Sequence, residues 1–371
     1  MKKILFSFIL CGIVLLALSA VKKSDNSLTA NFIEGDTQIA SINQLAFGPE
    51  GILFIGDSKN AAIYAIDTKD VTPKENAGDI NISSFDTKIA ASLGTTADNI
   101  KITDMAVNPI SKTIYFSVNV TDGTPVLLKL NRGDFENVSL TKASYSKIKL
   151  NNAIGINDKD NKGRTLRHWA ISDIMYHKGK VMVSGLSNKE FRSTFRSIPF
   201  PFSDKQDYAS LEIWHAAHGR FETYAPIKAF NVIDIDNEDY LIAGYTCTPL
   251  VLFPLKDLTE NKHIKGRTVA ELGGGNSPLD MIVFEKDGKP KFFMSNSSRP
   301  VMRIDYDDIV NFKESLTEEV KEFAATDGVI YDNLPFVYVK QMDNLDNENV
   351  VFLHINSEGN LVLRNRAKKW M

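Results

Sequence analysis

Residues 44–57 read Gln44-Leu45-Ala46-Phe47-Gly48-Pro49-Glu50-Gly51-Ile52-Leu53-Phe54-Ile55-Gly56-Asp57. Two short apolar runs, rich in aromatic and β-branched residues, flank a Gly-Pro-Glu-Gly turn. That is the pattern of two strands joined by a tight connection. A third apolar run, Ala62-Ile63-Tyr64-Ala65-Ile66, follows a small polar loop. Strand, turn, strand, loop, strand is therefore the local unit.

The unit recurs along the chain. Further copies begin at Asp104-Met105-Ala106-Val107, Asp173-Ile174-Met175-Tyr176, Asn231-Val232-Ile233 and Asp280-Met281-Ile282-Val283, and a weaker one runs from Val337 to Leu363. Copies lie roughly 50 to 70 residues apart, the spacing of four-stranded units with loops. One such sheet cannot bury both faces alone; stacking six around an axis does so and leaves only short protected edges. The expected fold is all-β, a six-bladed β-propeller over residues 21–371, although a β-sandwich also uses several short strands with turns. Fourth strands are expected at Lys88–Gly94 and at Thr268–Gly273, whose sequences resemble each other. Leu28–Ala40 is expected to complete the last blade, and Leu316–Phe323 is the one stretch with helical character.

The strand-turn-strand copies, seen best in Leu45–Asp57, resemble the secreted six-bladed propellers of the gluconolactonase and NHL-repeat type. The resemblance is one of architecture over most of the chain. It implies either a lactone hydrolase with a bound divalent metal or a binding domain, and no metal ligand of that family is matched position by position here.

Lys2 and Lys3, the apolar run Ile4–Leu18 and the small residues Ser19-Ala20 have the three-part layout of a signal peptide over residues 1–20. The expected location is the periplasm or the extracellular space, with no transmembrane segment in the mature chain. Net charge is −3, with no basic cluster. That argues against a nucleic-acid partner. Once the leader is removed Cys247 stands alone, so no intrachain disulfide forms.

Aligning the copies places one polar slot just before the apolar core of each first strand: Gln44, Asp104, Asp173, Asn231, Asp280 and Lys340. First strands of a propeller line its central channel, so these residues are expected to form a ring. Three uses fit such a ring. It can be a wet wall satisfied by its own hydrogen bonds and water. It can be an oxygen-donor site for Ca²⁺ or Mg²⁺ held by Asp104, Asp173 and Asp280. It can also crowd carboxylates until one becomes a general base. Loops after the second strands should open on the same face; they carry Asn296 and Arg299, and Arg192 and Arg196 lie close by as candidates for an anionic group. His168-Trp169 is placed near the same mouth.

Trp214-His215-Ala216-Ala217-His218-Gly219 stands out in a chain with six histidines. On a continuous strand His215 and His218 point to opposite faces. They reach one metal, with Cys247, only if a turn begins between them. No phosphate-binding Gly loop, Gly-x-Ser-x-Gly elbow or Cys-x-x-Cys-His motif is present. Three functions remain: a module binding a small molecule, glycan or protein at the channel mouth, a metal-assisted lactone or ester hydrolase using the inner carboxylates, and a periplasmic redox-associated metal protein.

Overall fold

The computed structural model describes residues 27–131 and 133–371. The leader expected over residues 1–20 lies outside them. Six sheets of four or more strands, antiparallel except where Lys262–Lys265 runs parallel to Asp207–His215, stand around one axis, a six-bladed β-propeller. In the first copy the inner strand Gln44–Phe47 pairs with Ile52–Asp57, and Ile52–Asp57 with Ala62–Asp67. Ile52–Asp57 is buried at all six positions. A blade sandwiched between two neighbours is covered on both faces, so its second strand is apolar throughout and does not alternate. Lys180–Leu186 repeats the pattern in the third copy.

The order of blades around the axis is not the order of copies along the chain. Hydrophobic clusters fill the six junctions between blades. Phe54 and Ile63 of the first copy pack with Ile174, Val183 and Phe200 of the third. Leu53 and Tyr64 of the first pack with Tyr115 and Leu127 of the second. Phe116 and Val118 of the second pack with Val351 and Leu353 of the sixth. Going round the ring the copies run second, first, third, fourth, fifth, sixth, and back to the second.

Two crossings make this order possible. After the first copy the chain passes to the last blade, where Asn81–Ile82 pairs with Leu361–Ala367 as its outermost strand. It then builds the second blade and returns across the first, where Ala143–Lys149 becomes the fourth strand beside Ala62–Asp67. Ile33–Gly35 lies outside that strand, on the first blade. The expectation that Leu28–Ala40 completes the last blade is therefore corrected: Asn81–Ile82 does so.

Two secondary-structure expectations are also corrected. Phe85–Ser92 is an α-helix, not a fourth strand. Phe85 and Ile89, four residues apart, bury one face of it in the junction between the second and sixth blades. Leu316–Phe323 is not helical; the Leu316 N–H instead donates to the Thr268 C=O at 2.8 Å. Arg267–Glu271 is a strand as expected, the fourth of its blade. Phe200 and Phe202 seal the first blade against the third, with Phe200 edge-on to Phe54 at 4.9 Å between ring centres. Among the described residues no helix is long and apolar enough to cross a membrane.

Candidate functional site

The inner strands enclose a channel of about 870 Å³. Gln44, Asp104, Asp173, Asn231, Asp280 and Lys340 all line it, so the slot found by aligning copies does converge on the axis. Its carboxylates have a specific job. Asp104 accepts the N–H of Met105 at 2.8 Å and, through its other oxygen, that of Leu45 on the next blade at 2.7 Å. Asp173 takes Ile174 at 2.8 Å and Phe230 of the next blade at 2.9 Å. Asp280 takes Met281 and, on the next blade, Met342, both at 2.8 Å.

The sixth copy contributes Asp343 to this belt, not Lys340. Asp343 accepts Asn344 N–H and, on the second blade, Val107 N–H, both at 2.7 Å. Lys340 occupies a bulge in the strand pairing between Val339 and Gln341, three residues ahead of Asp343, as Lys228 occupies one three residues ahead of Asn231. All four staples point the same way round the ring. Asn231 bonds only the N–H of its own neighbour Val232, at 2.9 Å.

These carboxylates sit where protein replaces most of their water. Burial pushes Asp104 and Asp173 well above the usual range, and the charge of Asp280 adds to both shifts. Burial raises Asp280 to about 7 and Asp343 to about 6, against the donated N–H bonds that pull them down. With both oxygens committed to the backbone, the belt is a set of inter-blade clamps. The oxygens of Asp104, Asp173 and Asp280 are not gathered within 4.8 Å of one another as a metal set; among the described residues that distinction belongs to His215, His218 and Cys247.

Above the belt, at the end where inner strands begin, stands a feature that alignment of single slots missed. Lys101, Lys228 and Lys340 line the channel three residues ahead of Asp104, Asn231 and Asp343. The signal was in the sequence as Lys-x-x-Asp/Asn in three copies. Among the described residues none of the three lysines makes an ion pair within 4.0 Å. The Lys228 ammonium lies 3.9 Å from the centre of the Trp169 ring. Burial pulls it down to about 8, although the charge of Asp173 opposes that shift. His168, also in the wall, is lowered by burial and by the charges of Lys228 and Lys101. His168 and Trp169 thus reach the mouth as expected.

Other expected ligand residues are placed elsewhere. Asn296 is buried, and its amide bonds Asn276, Met294 C=O and Pro300 C=O at 2.8 to 3.0 Å. Arg299 ties down the segment after it through Ala324 C=O at 2.7 Å. Arg196 is only 1 % exposed, bonded to Asn151 C=O at 3.1 Å; burial lowers its guanidinium to about 10. Arg192 is half-buried and does not line the channel. Asn296 and Arg299 are thus supports of loops, whereas Arg196 keeps its Nε and Nη1 without a partner among the described residues.

His215, His218 and Cys247 lie on the same face as the lysines but outside the channel. Asp207–His215, the fourth strand of the third blade, ends at His215, and a tight turn over Ala216–His218 follows, closed by Gly219 at φ 58°. The alternation that would separate the two imidazoles stops at His215, and both rings come to one side.

No family model matches this chain, and no curated protein matches it. Solved structures match in shape. A putative oxidoreductase (glucose dehydrogenase) from Thermus thermophilus aligns with 90 % of this chain and 99 % of its own, at 10 % identity and a TM-score of 0.31. Dihydro-heme d1 dehydrogenase NirN aligns with 88 % of this chain and 55 % of its own, at 10 % identity and a TM-score of 0.34. The extracellular region of plexin A4 aligns with 91 % of this chain and 47 % of its own, at 9 % identity and a TM-score of 0.38. At such values these alignments carry no argument about this chain, and none of these proteins' activities is carried over.

Proposed function

We propose that this propeller works outside the cytoplasm as a binding protein, and that its ligand is a small organic anion of the carboxylate or phosphate class seated in the channel mouth. The observation that carries the reading is the tier of Lys101, Lys228 and Lys340 over the cavity, with no carboxylate paired to any of them among the described residues. Half-burying Lys228 without an anion costs free energy, as its lowered ammonium shows. A bound anion offsets that cost. Gln44, Asn231 and neutral His168 supply uncharged donors and acceptors around it, and Trp169 offers an aromatic wall.

The carboxylates below do not cancel this preference. Their oxygens face backbone N–H groups of two blades, and raised affinities for protons leave part of them neutral near pH 7. In this reading the belt holds the ring together and does not activate water. The test is thermal denaturation of the purified protein against a panel of mono- and dicarboxylates, sugar acids and organic phosphates, repeated with Lys228→Gln and Lys340→Gln. A ligand that raises the Tm of the wild type, and loses most of that effect in both variants, supports the reading. No response to any anion, or an equal response in wild type and variants, overturns it.

A further inference from the structure

We infer that His215, His218 and Cys247 bind one transition-metal ion, of zinc or copper type, at the junction of the third and fourth blades. The inference is independent of the channel ligand.

One ligand atom from each of the three residues falls in a set whose members all lie within 4.8 Å of one another. The imidazole rings are 3.8 Å apart, centre to centre. Glu222, on the strand Arg220–Glu222 that returns from the turn, orients both. Its carboxylate meets His215 Nδ1 at 2.9 Å and His218 Nδ1 at 2.8 Å. It also accepts Arg220 Nε at 3.1 Å and the Tyr224 hydroxyl at 3.0 Å. With the Arg220 guanidinium and the Tyr224 hydroxyl donating to it as well, the carboxylate serves as an acceptor, so each Nδ1 carries the hydrogen and each Nε2 presents a lone pair. A carboxylate behind an imidazole is the usual outer shell of a metal-binding histidine.

A second observation points to a ligand. His215 is 2 % exposed, yet its Nε2 has no hydrogen-bond partner among the described residues. A buried, unpaired ring nitrogen is costly. The third donor comes from a strained loop. Cys247 and Thr248 both have left-handed backbones, at φ 65° and 63°, which residues with a Cβ adopt at a cost. Cys247 N–H to Asn276 C=O at 2.8 Å and the Thr248 hydroxyl to Gly273 C=O at 2.9 Å keep them there. That conformation brings the half-buried thiol to the two imidazoles.

The donor set selects the ion. Two imidazoles and a thiolate suit zinc and copper, whereas calcium and magnesium need oxygen. Three protein ligands leave a position open, on the side where His218 is exposed, for water or a small molecule.

The experiment uses purified protein stripped by a chelator, then dialysed against Zn²⁺ and, in a separate reducing arm, against Cu⁺. Cobalt(II) serves as a spectroscopic probe for the thiolate. One ion per chain is expected in at least one arm, with a sulfur-to-cobalt charge-transfer band. Affinity should fall about tenfold or more in His218→Ala and in Cys247→Ser. His218 is exposed and Cys247→Ser is nearly isosteric, so both variants should keep the wild-type circular dichroism. Binding in neither arm, a cobalt complex without the sulfur band, or equal affinity in Cys247→Ser overturns the inference.

Discussion

The carboxylate of Asp343 accepts the backbone N–H of Val107 at 2.7 Å, across 236 positions of sequence. It joins the last blade to the second, not the first, and so closes the ring. If this clamp matters, Asp343→Ala should destabilise the fold by about 1 to 3 kcal/mol, the cost of leaving a buried N–H without a partner. Asp343→Asn keeps an acceptor for one of the two N–H groups and should cost less. Urea denaturation of both variants checks the order.

The belt also predicts a pH dependence. Burial raises Asp280 to about 7 and Asp343 to about 6, against about 3.9 in an unfolded chain. Between those limits the native state holds protons that the unfolded state has released. Their contribution is complete below about pH 4 and is lost as pH rises through 6 to 7. Stability should therefore fall with rising pH over this window. The double variant Asp280→Asn with Asp343→Asn should show a shallower fall. Some slope will remain, because burial raises Asp104, Asp173 and Glu271 in the same sense. Glu222 acts oppositely but below its unfolded value, outside the window. Tm measured from pH 4 to 8 gives both slopes.

The junction between the first and third blades should be sensitive to volume. Phe54 is fully buried, edge-on to Phe200 at 4.9 Å and stacked with Tyr176 at 5.8 Å. Phe54→Ala should cost about 3 to 5 kcal/mol. Gly185→Ala should also destabilise, since a Cβ there would sit 2.3 Å from Ala170 C=O, a backbone atom that cannot swing away. Overpacking of this kind costs about 1 to 3 kcal/mol. Calorimetric unfolding of the two variants checks both.

Anion binding at the mouth should be salt-sensitive. A ligand held by Lys228 and Lys340 loses affinity as ionic strength rises and the Debye length falls from about 10 Å at 0.1 M to about 3 Å at 1 M. Titration calorimetry at three salt concentrations should show this trend. Lys228→Gln should flatten it and, because it removes an ammonium buried at a cost, should not lower the unfolding free energy of the ligand-free protein.

Six hairpin copies were legible because strand periodicity and turn residues are local. The order of the blades was not, because it depends on where Asn81–Ile82 and Ala143–Lys149 dock, and both pairings are remote. Lys88–Gly94 read as a strand through its likeness to Thr268–Gly273; the spacing of Phe85 and Ile89 was the stronger signal and is helical. The axial ring of Gln44, Asp104, Asp173, Asn231 and Asp280 was legible from alignment alone; Asp343 was not, because the weak pattern of the sixth copy puts Lys340, three residues ahead, in that slot. Whether His215 and His218 meet turned on the strand ending at His215 and the tight turn Ala216–His218 that follows, closed by the left-handed Gly219. Asn296 and Arg299 misled because a polar loop residue looks the same in sequence whether it faces solvent or clamps its neighbours.

The most direct test of the proposed function is the position of an anion. Crystals soaked in selenate, a heavy stand-in for phosphate and carboxylate groups, should show an anomalous peak in the channel. The selenate oxygens around it should lie within about 3.2 Å of Lys228 Nζ and of a second lysine of the same tier, and the peak should disappear in Lys228→Gln. Selenate bound only on the outer surface, with no peak in the channel, would contradict the reading.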